Sequence, residues 1–260
     1  MSWIKTHAAA LAMLMATVSS GLAQDVGGVR EILNGFVADY ESDPSMLAGT
    51  FGIEVDGSWW HVIARPGDEG SAPSVELREG EPSEPSFYFT LDHATLLKLD
   101  AGELNAETAM VKAFSTDPSP MDADVMDGFE PGEGFLDALL KTSFHFWTRG
   151  LPEIIPFGET YTRFTHGADA VVFYYQPGFR SGWGSLKQGQ HANEDPRSQT
   201  NPFPSLFVVT SGTGMARIGG EEVELRAGQA VFVPPGVAHE FWNPNEKPME
   251  FILLMFGEGA

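Results

Sequence analysis

The chain has 260 residues and a formal net charge of −21, from 36 acidic against 15 basic residues. It is long enough for two ordinary domains. It has no basic stripe to neutralise phosphates, which excludes nucleic acid and anionic membrane surfaces as electrostatic partners. With no cysteine, there can be no disulfide and no cysteine-linked lipid, and any metal must be held by nitrogen and oxygen ligands.

The chain opens with Lys5, an apolar run from Ala8 to Val18 and the small residues Ser19 to Ala23. This pattern reads as a secretory signal peptide over residues 1–23, cleaved near Ala23, which predicts a periplasmic or secreted protein. The run is too short for a stable membrane anchor. Residues 24–134 read as an α+β domain. Val26, Val29, Ile32, Leu33, Phe36, Val37 and Tyr40 recur at helical spacing, and Pro44 ends the helix. Apolar and polar residues then alternate from Phe51 to Val62 around Asp56-Gly57, a strong hairpin signal. Strands are predicted over Ser74–Leu77 and Phe87–Leu91, and Asp92 caps a helix carrying Leu96, Leu97 and Leu99 that stops near Gly102. A shorter helix is predicted over Ala106–Phe114. Ser115 to Gly134 is rich in Asp, Pro and Gly and reads as a loop or boundary. Of the 36 acidic residues, 24 lie between Asp25 and Gly150; the plainest account of them is solubility outside the cytoplasm.

Phe135, Leu136, Leu139, Leu140, Phe144 and Trp147 predict a connecting helix over residues 135–150, and the pattern changes to strands and turns over residues 151–260. Leu206–Thr210, Met215–Ile218 and Val223–Leu225 are followed by Ala230–Val233, Val237–Trp242 and Met249–Phe256. Turns at Ser211-Gly212, Gly219-Gly220, Pro234-Pro235-Gly236 and Asn243-Pro244-Asn245 separate them. Short strands at this spacing predict a closed antiparallel barrel or jelly roll. By strand alternation Val237, His239 and Phe241 share one face, and Ala238, Glu240 and Trp242 the other. No nucleophile elbow, phosphate-binding loop or dinucleotide fingerprint is present.

Gly228, Pro234, Gly236, His239 and Asn243 stand at the spacing of the second cupin motif, and Val209 to Gly214 resembles the strand and turn that close the first. The chain from about Ala170 to Phe256 therefore resembles the cupin family. The resemblance implies an all-β barrel whose cavity His239 enters, with Phe241, Val237, Phe207 and Val209 as neighbouring wall residues. It also implies a barrel edge suited to a homodimer. In metal-dependent cupins the histidine matching His239 ligates a divalent metal, beside two histidines and a glutamate from the first motif. The matching window, Ser198 to Ser205, holds none of these. The long connection from Gly178 to Pro204 contains His191, Glu194 and Asp195, which could fold over the barrel mouth. His239, His191 and Glu194 are thus the candidate ligands for Fe, Mn, Ni or Zn. Two roles stay open for His239, metal ligand and packed, hydrogen-bonded cavity histidine.

Phe51 to Val62, with its Asp56-Gly57 turn and paired tryptophans, and Ala94 to Asn105 are similar to the sterol carrier protein 2 family. That resemblance implies an apolar lipid tunnel, which here would use Phe51, Ile53, Trp59, Trp60, Phe87, Phe89, Leu96 and Leu97. The same stripes would equally serve an ordinary core. The functional expectation is an exported protein that binds a small apolar or amphipathic molecule. The alternative is a metal-dependent dioxygenase, isomerase or lyase using His239 and His191.

Overall fold

The computed structural model describes residues 28–68 and 70–260. The signal-peptide segment and Val26 lie outside them. No helix among the described residues is long and apolar enough to cross a membrane.

Helix α1 covers residues 28–41 and buries Val29, Leu33, Phe36 and Tyr40, the stripe its helical spacing requires. The hairpin follows as β1 (Gly49–Val55) and β2 (Ser58–Arg65). Asp56 and Gly57 have φ of 48° and 80°, which suits a tight two-residue turn twisted like its strands. Strands β3 (Ser74–Glu79), β4 (Phe87–Leu91) and β5 (Met121–Val125) complete a five-stranded sheet in the order β3-β2-β1-β4-β5. Strand β5 lies in the segment read as a loop. Its alternation of Met121, Ala123 and Val125 is diluted by Asp122 and Asp124, which an edge strand tolerates.

Between the last two strands lie α2 (His93–Asp100), capped by Asp92 on the Thr95 amide at 2.7 Å, and α3 (Ala106–Met110). Helix α3 ends earlier than predicted. Val111 turns extended, and the Arg163 guanidinium takes the carbonyls of Thr108, Ala109 and Val111, so the helix end is satisfied without another turn. Helix α4 (Phe135–Phe146) returns to this part. Its Phe146, with Trp147, joins Phe36, Tyr40, Phe51 and Phe89 in a set of ring contacts between 4.9 and 6.0 Å.

The C-terminal part is two sheets. One is built from β6 (Arg163–Thr165), β7 (Ala168–Gln176), β8 (Phe179–Leu186), β10 (Ser205–Ser211), β13 (Ala230–Val233) and β15 (Met249–Phe256), in the order β13-β10-β15-β8-β7-β6. The other has β9 (His191–Ala192), β11 (Thr213–Ile218), β12 (Glu221–Arg226) and β14 (His239–Trp242), in the order β12-β11-β14-β9. This corrects the expected closed barrel: among the described residues no ladder joins the sheets. The chain crosses between them at Ser211-Gly212 and at Pro234 to Gly236. There the positive φ of Gly212 and Gly236 and the missing proline N–H groups interrupt pairing. The inner faces still share one hydrophobic cluster containing Phe207, Val209, Val233 and Phe251 from the first sheet and Ala216, Leu225 and Phe241 from the second. Phe207 and Phe241 meet across the gap at 4.1 Å.

Strand β7 runs on past the end of β6, leaving a free edge at Val172. Helix α3 covers it. Thr108 Oγ1 accepts from the Val172 amide at 2.8 Å, and Asn105 Nδ2 donates to the Val172 carbonyl at 3.0 Å. The N-terminal part is thereby fastened to the side of the sandwich.

Candidate functional site

A cavity of about 590 Å3 lies inside the sandwich and reaches α3 and α4. Two of the β8 positions on its wall are glycines. The register puts Gly182 beside Leu253 and Gly184 beside Phe251. A side chain at Gly184 would sit 2.4 Å from the Phe251 ring, far inside contact distance.

His239 lines this cavity and is 2% exposed. Its strand start is fixed from outside, since its own amide donates to the Gln199 carbonyl at 2.9 Å and that of Gly236 to Asn201 at 2.7 Å. The ring lies about 6 Å from those of Phe207 and Phe241. His239 Nδ1 donates to the Val237 carbonyl at 3.0 Å. That bond assigns the proton to Nδ1 and leaves Nε2 as the acceptor. Burial holds the imidazole below its ordinary pKa, with the Val237 carbonyl pulling the other way. The group is a neutral ring with one free lone pair.

The other predicted wall residues divide. Phe207 and Phe241 line the cavity. Val209 is buried in the cluster, and Val237 packs on the cluster's margin and supplies the carbonyl under His239; neither borders the cavity.

The predicted metal set is not assembled. His191 pairs with Trp242 in the ladder, so its side chain lies on the face of Trp242 and Glu240, opposite His239. Its Nε2 bonds Glu240 Oε2 at 2.9 Å, and Glu240 also binds Arg217. Glu194 is exposed, and Asp195 pairs with Arg197 at 2.6 Å. Among the described residues the one three-residue group with metal-ligand spacing is Asp43, His145 and Glu153, away from the cavity. There a single nitrogen, His145 Nδ1, contacts both carboxylates, at 2.8 and 3.0 Å, and hydrogen bonding accounts for it. The cavity residues do not fit a transition metal, which needs several such donors converging.

The predicted lipid tunnel is filled. Phe51, Ile53, Trp60, Phe89 and Leu96 are buried in the N-terminal cluster, with Phe87 packed against it. Trp59 lies against Tyr88 at 4.9 Å, and Leu97 is half exposed. These positions serve packing because α1 and α4 press their own rings onto the sheet.

Sequence reading missed three cavity residues. Ser205 is 1% exposed and its hydroxyl has no hydrogen-bond partner. Arg180 has an unpartnered buried Nε, while its guanidinium lies over Tyr175 and Phe203 and donates to the Gly259 carbonyl at 3.3 Å. Glu107 on α3 is 5% exposed and its Oε1 has no partner. Burial pushes its carboxyl up to about 7, against a smaller opposing effect of the Ser143 hydroxyl. No local signal marks Glu107, since an acid in a first helical turn ordinarily sits on the surface.

Residues 185–255 match the cupin domain model, so the sequence itself assigns the C-terminal sandwich to that fold. The match covers none of the N-terminal part. Solved structures similar to the chain include a cupin 2 conserved barrel domain protein from Salinispora arenicola, at 19% identity and a TM-score of 0.36. That alignment covers 40% of this chain and 88% of that one. The plu4264 protein from Photorhabdus luminescens aligns at 15% identity and 0.36, over 40% and 87%. A predicted oxalate decarboxylase from Thermotoga maritima aligns at 15% and 0.32, over 34% and 79%. Among curated proteins none matches.

Proposed function

We propose that the protein binds a small, mainly apolar or amphipathic molecule in the sandwich cavity around His239. The observation that carries this reading is a cavity of about 590 Å3 walled by aromatic rings and holding a neutral histidine whose Nε2 has no protein partner. Such a volume and a mainly apolar lining suit a ligand of ordinary small-molecule size. The metal-dependent dioxygenase, isomerase or lyase has less support, because His191 and Glu194 do not converge on His239. The leader read at residues 1–23 would make this an exported binding protein.

The test is ligand capture. Solvent extraction of the purified protein followed by mass spectrometry should yield a bound small molecule, and a neutral apolar fluorophore should bind in competition with it. His239→Ala should weaken ligand binding about fivefold, the worth of one net hydrogen bond of roughly 1 kcal/mol. If neither an extracted ligand nor probe binding is found, the reading fails.

A further inference from the structure

Resting on that reading of the cavity, we propose that Glu107 receives one polar group of the ligand, and that this group is a protonated amine on a mainly apolar molecule. The site would then be shared between the two parts of the chain, with His239 in the sandwich and Glu107 on the helix that covers its edge.

The argument starts from what surrounds the carboxyl. Glu107 lines the cavity and is almost wholly buried, yet Oε1 is unpartnered. A buried acid whose one polar neighbour is the Ser143 hydroxyl is expensive to keep, and nothing in the fold needs one there. The α3 cap Asn105 and Thr108 do the structural work, binding the Val172 backbone. The cations nearby are already engaged: of the cavity's arginines, Arg180 lies over Tyr175 and Phe203 and donates to the Gly259 carbonyl, and Arg197 pairs with Asp195. Lys112 pairs with Asp122, Arg163 is spent on α3 carbonyls, and Lys141 pairs with Asp137 at 2.8 Å. Among the other charged groups on the elements packed against α3, His145 is held by Asp43 and Glu153, while Asp124 and Asp169 are acids. The carboxyl therefore lacks a cation, and the cavity is the route by which one can arrive. Met110, Leu139 and Leu140 line the same cavity, which suits an apolar group bearing the amine. An ammonium in this low-dielectric site gains far more from a carboxylate than it would at the surface.

Three probes of equal chain length test the assignment: octylamine, octanol and octanoate, titrated into the full chain by calorimetry at neutral pH. The expected result is that octylamine binds at least tenfold more tightly than octanoate. In Glu107→Gln that preference should collapse to within about twofold, while uncharged octanol still binds. The acidic surface attracts any amine weakly, so the collapse, rather than the preference alone, is the supporting result. Glu107→Met should behave like Glu107→Gln. If octanol binds but octanoate equals or exceeds octylamine in the wild-type protein, the proposal is overturned and Arg180 becomes the candidate anchor, while the cavity reading stands. That comparison needs no variant. Retained amine preference in both variants also overturns it. If none of the three probes binds, the cavity reading falls and takes this assignment with it.

Discussion

The N-terminal sheet and the C-terminal sandwich are built from the same material, alternating strands with aromatic residues facing inward, and they end in opposite states. In the first, α1 and α4 lay Phe36, Phe146 and Trp147 onto Phe51 and Phe89, and the interior is filled by rings in edge-to-face contact. In the second, Phe207, Phe241 and Phe251 share the wall with Gly182, Gly184 and Ser205, and a cavity is left. Apolar alternation says that a face is buried. What buries it, and whether the volumes match, decides between a core and a binding site.

The largest expected effect tests this contrast directly. Phe146→Ala should destabilise the protein by about 3–5 kcal/mol, the range for a ring removed from close packing. Phe207→Ala should cost no more than about half as much, because one side of its ring already borders the cavity and has fewer contacts to lose. Urea midpoints at constant m-value measure both. Equal costs would mean that the sandwich is as well packed as the N-terminal core.

The next effect concerns Glu107, which sits where the two regions meet. Its folded carboxyl, pushed up to about 7 from an ordinary 4.5, binds its proton more tightly than in the unfolded chain. Stability is therefore highest below pH 4.5 as far as this group is concerned, and falls as pH rises to 7 and slightly beyond. A shift of that size corresponds to roughly 3 kcal/mol. Glu107→Gln should flatten that fall, raising stability at pH 8 while changing little at pH 4.5. A wild-type stability curve matching that of the variant between those values would show that the carboxyl is solvated.

The fold was legible wherever local chemistry decided it. Asp56-Gly57, the Asp92 cap and the run from Gly228 to Asn243 each fix their own backbone, and the structure has them as predicted, save that the strand expected from Val237 begins at His239. Strand β5 was hidden because its exposed Asp122 and Asp124 resemble a loop. The side on which His191 lies was not legible at all. Strand β9 is two residues long, and a shift of one residue in its pairing would have turned the imidazole inward. Sheet closure depended on the crossings at Gly212 and Pro234, whose geometry no motif spacing reports. Of the site, His239 and Phe241 were readable from alternation, and Phe207 was implied by the cupin resemblance. Glu107 and Arg180 were not, since their burial comes from elements tens of residues away.

The smallest expected effect separates the two interiors by the same mutation in each. Ser86 is buried in the N-terminal part and its hydroxyl donates to the Thr50 carbonyl; Ser205 is buried in the cavity wall with no partner. Ser86→Ala removes a made hydrogen bond and leaves a carbonyl unsatisfied, so it should cost about 1 kcal/mol. Ser205→Ala removes a hydroxyl whose desolvation nothing offsets, so it should be neutral or stabilise by up to about 1 kcal/mol. A polar group kept at such a position makes sense where a ligand supplies the missing bond. Saturating ligand should therefore raise the melting temperature of the wild-type protein more than that of Ser205→Ala. An equal rise in both would mean that the ligand does not reach the hydroxyl.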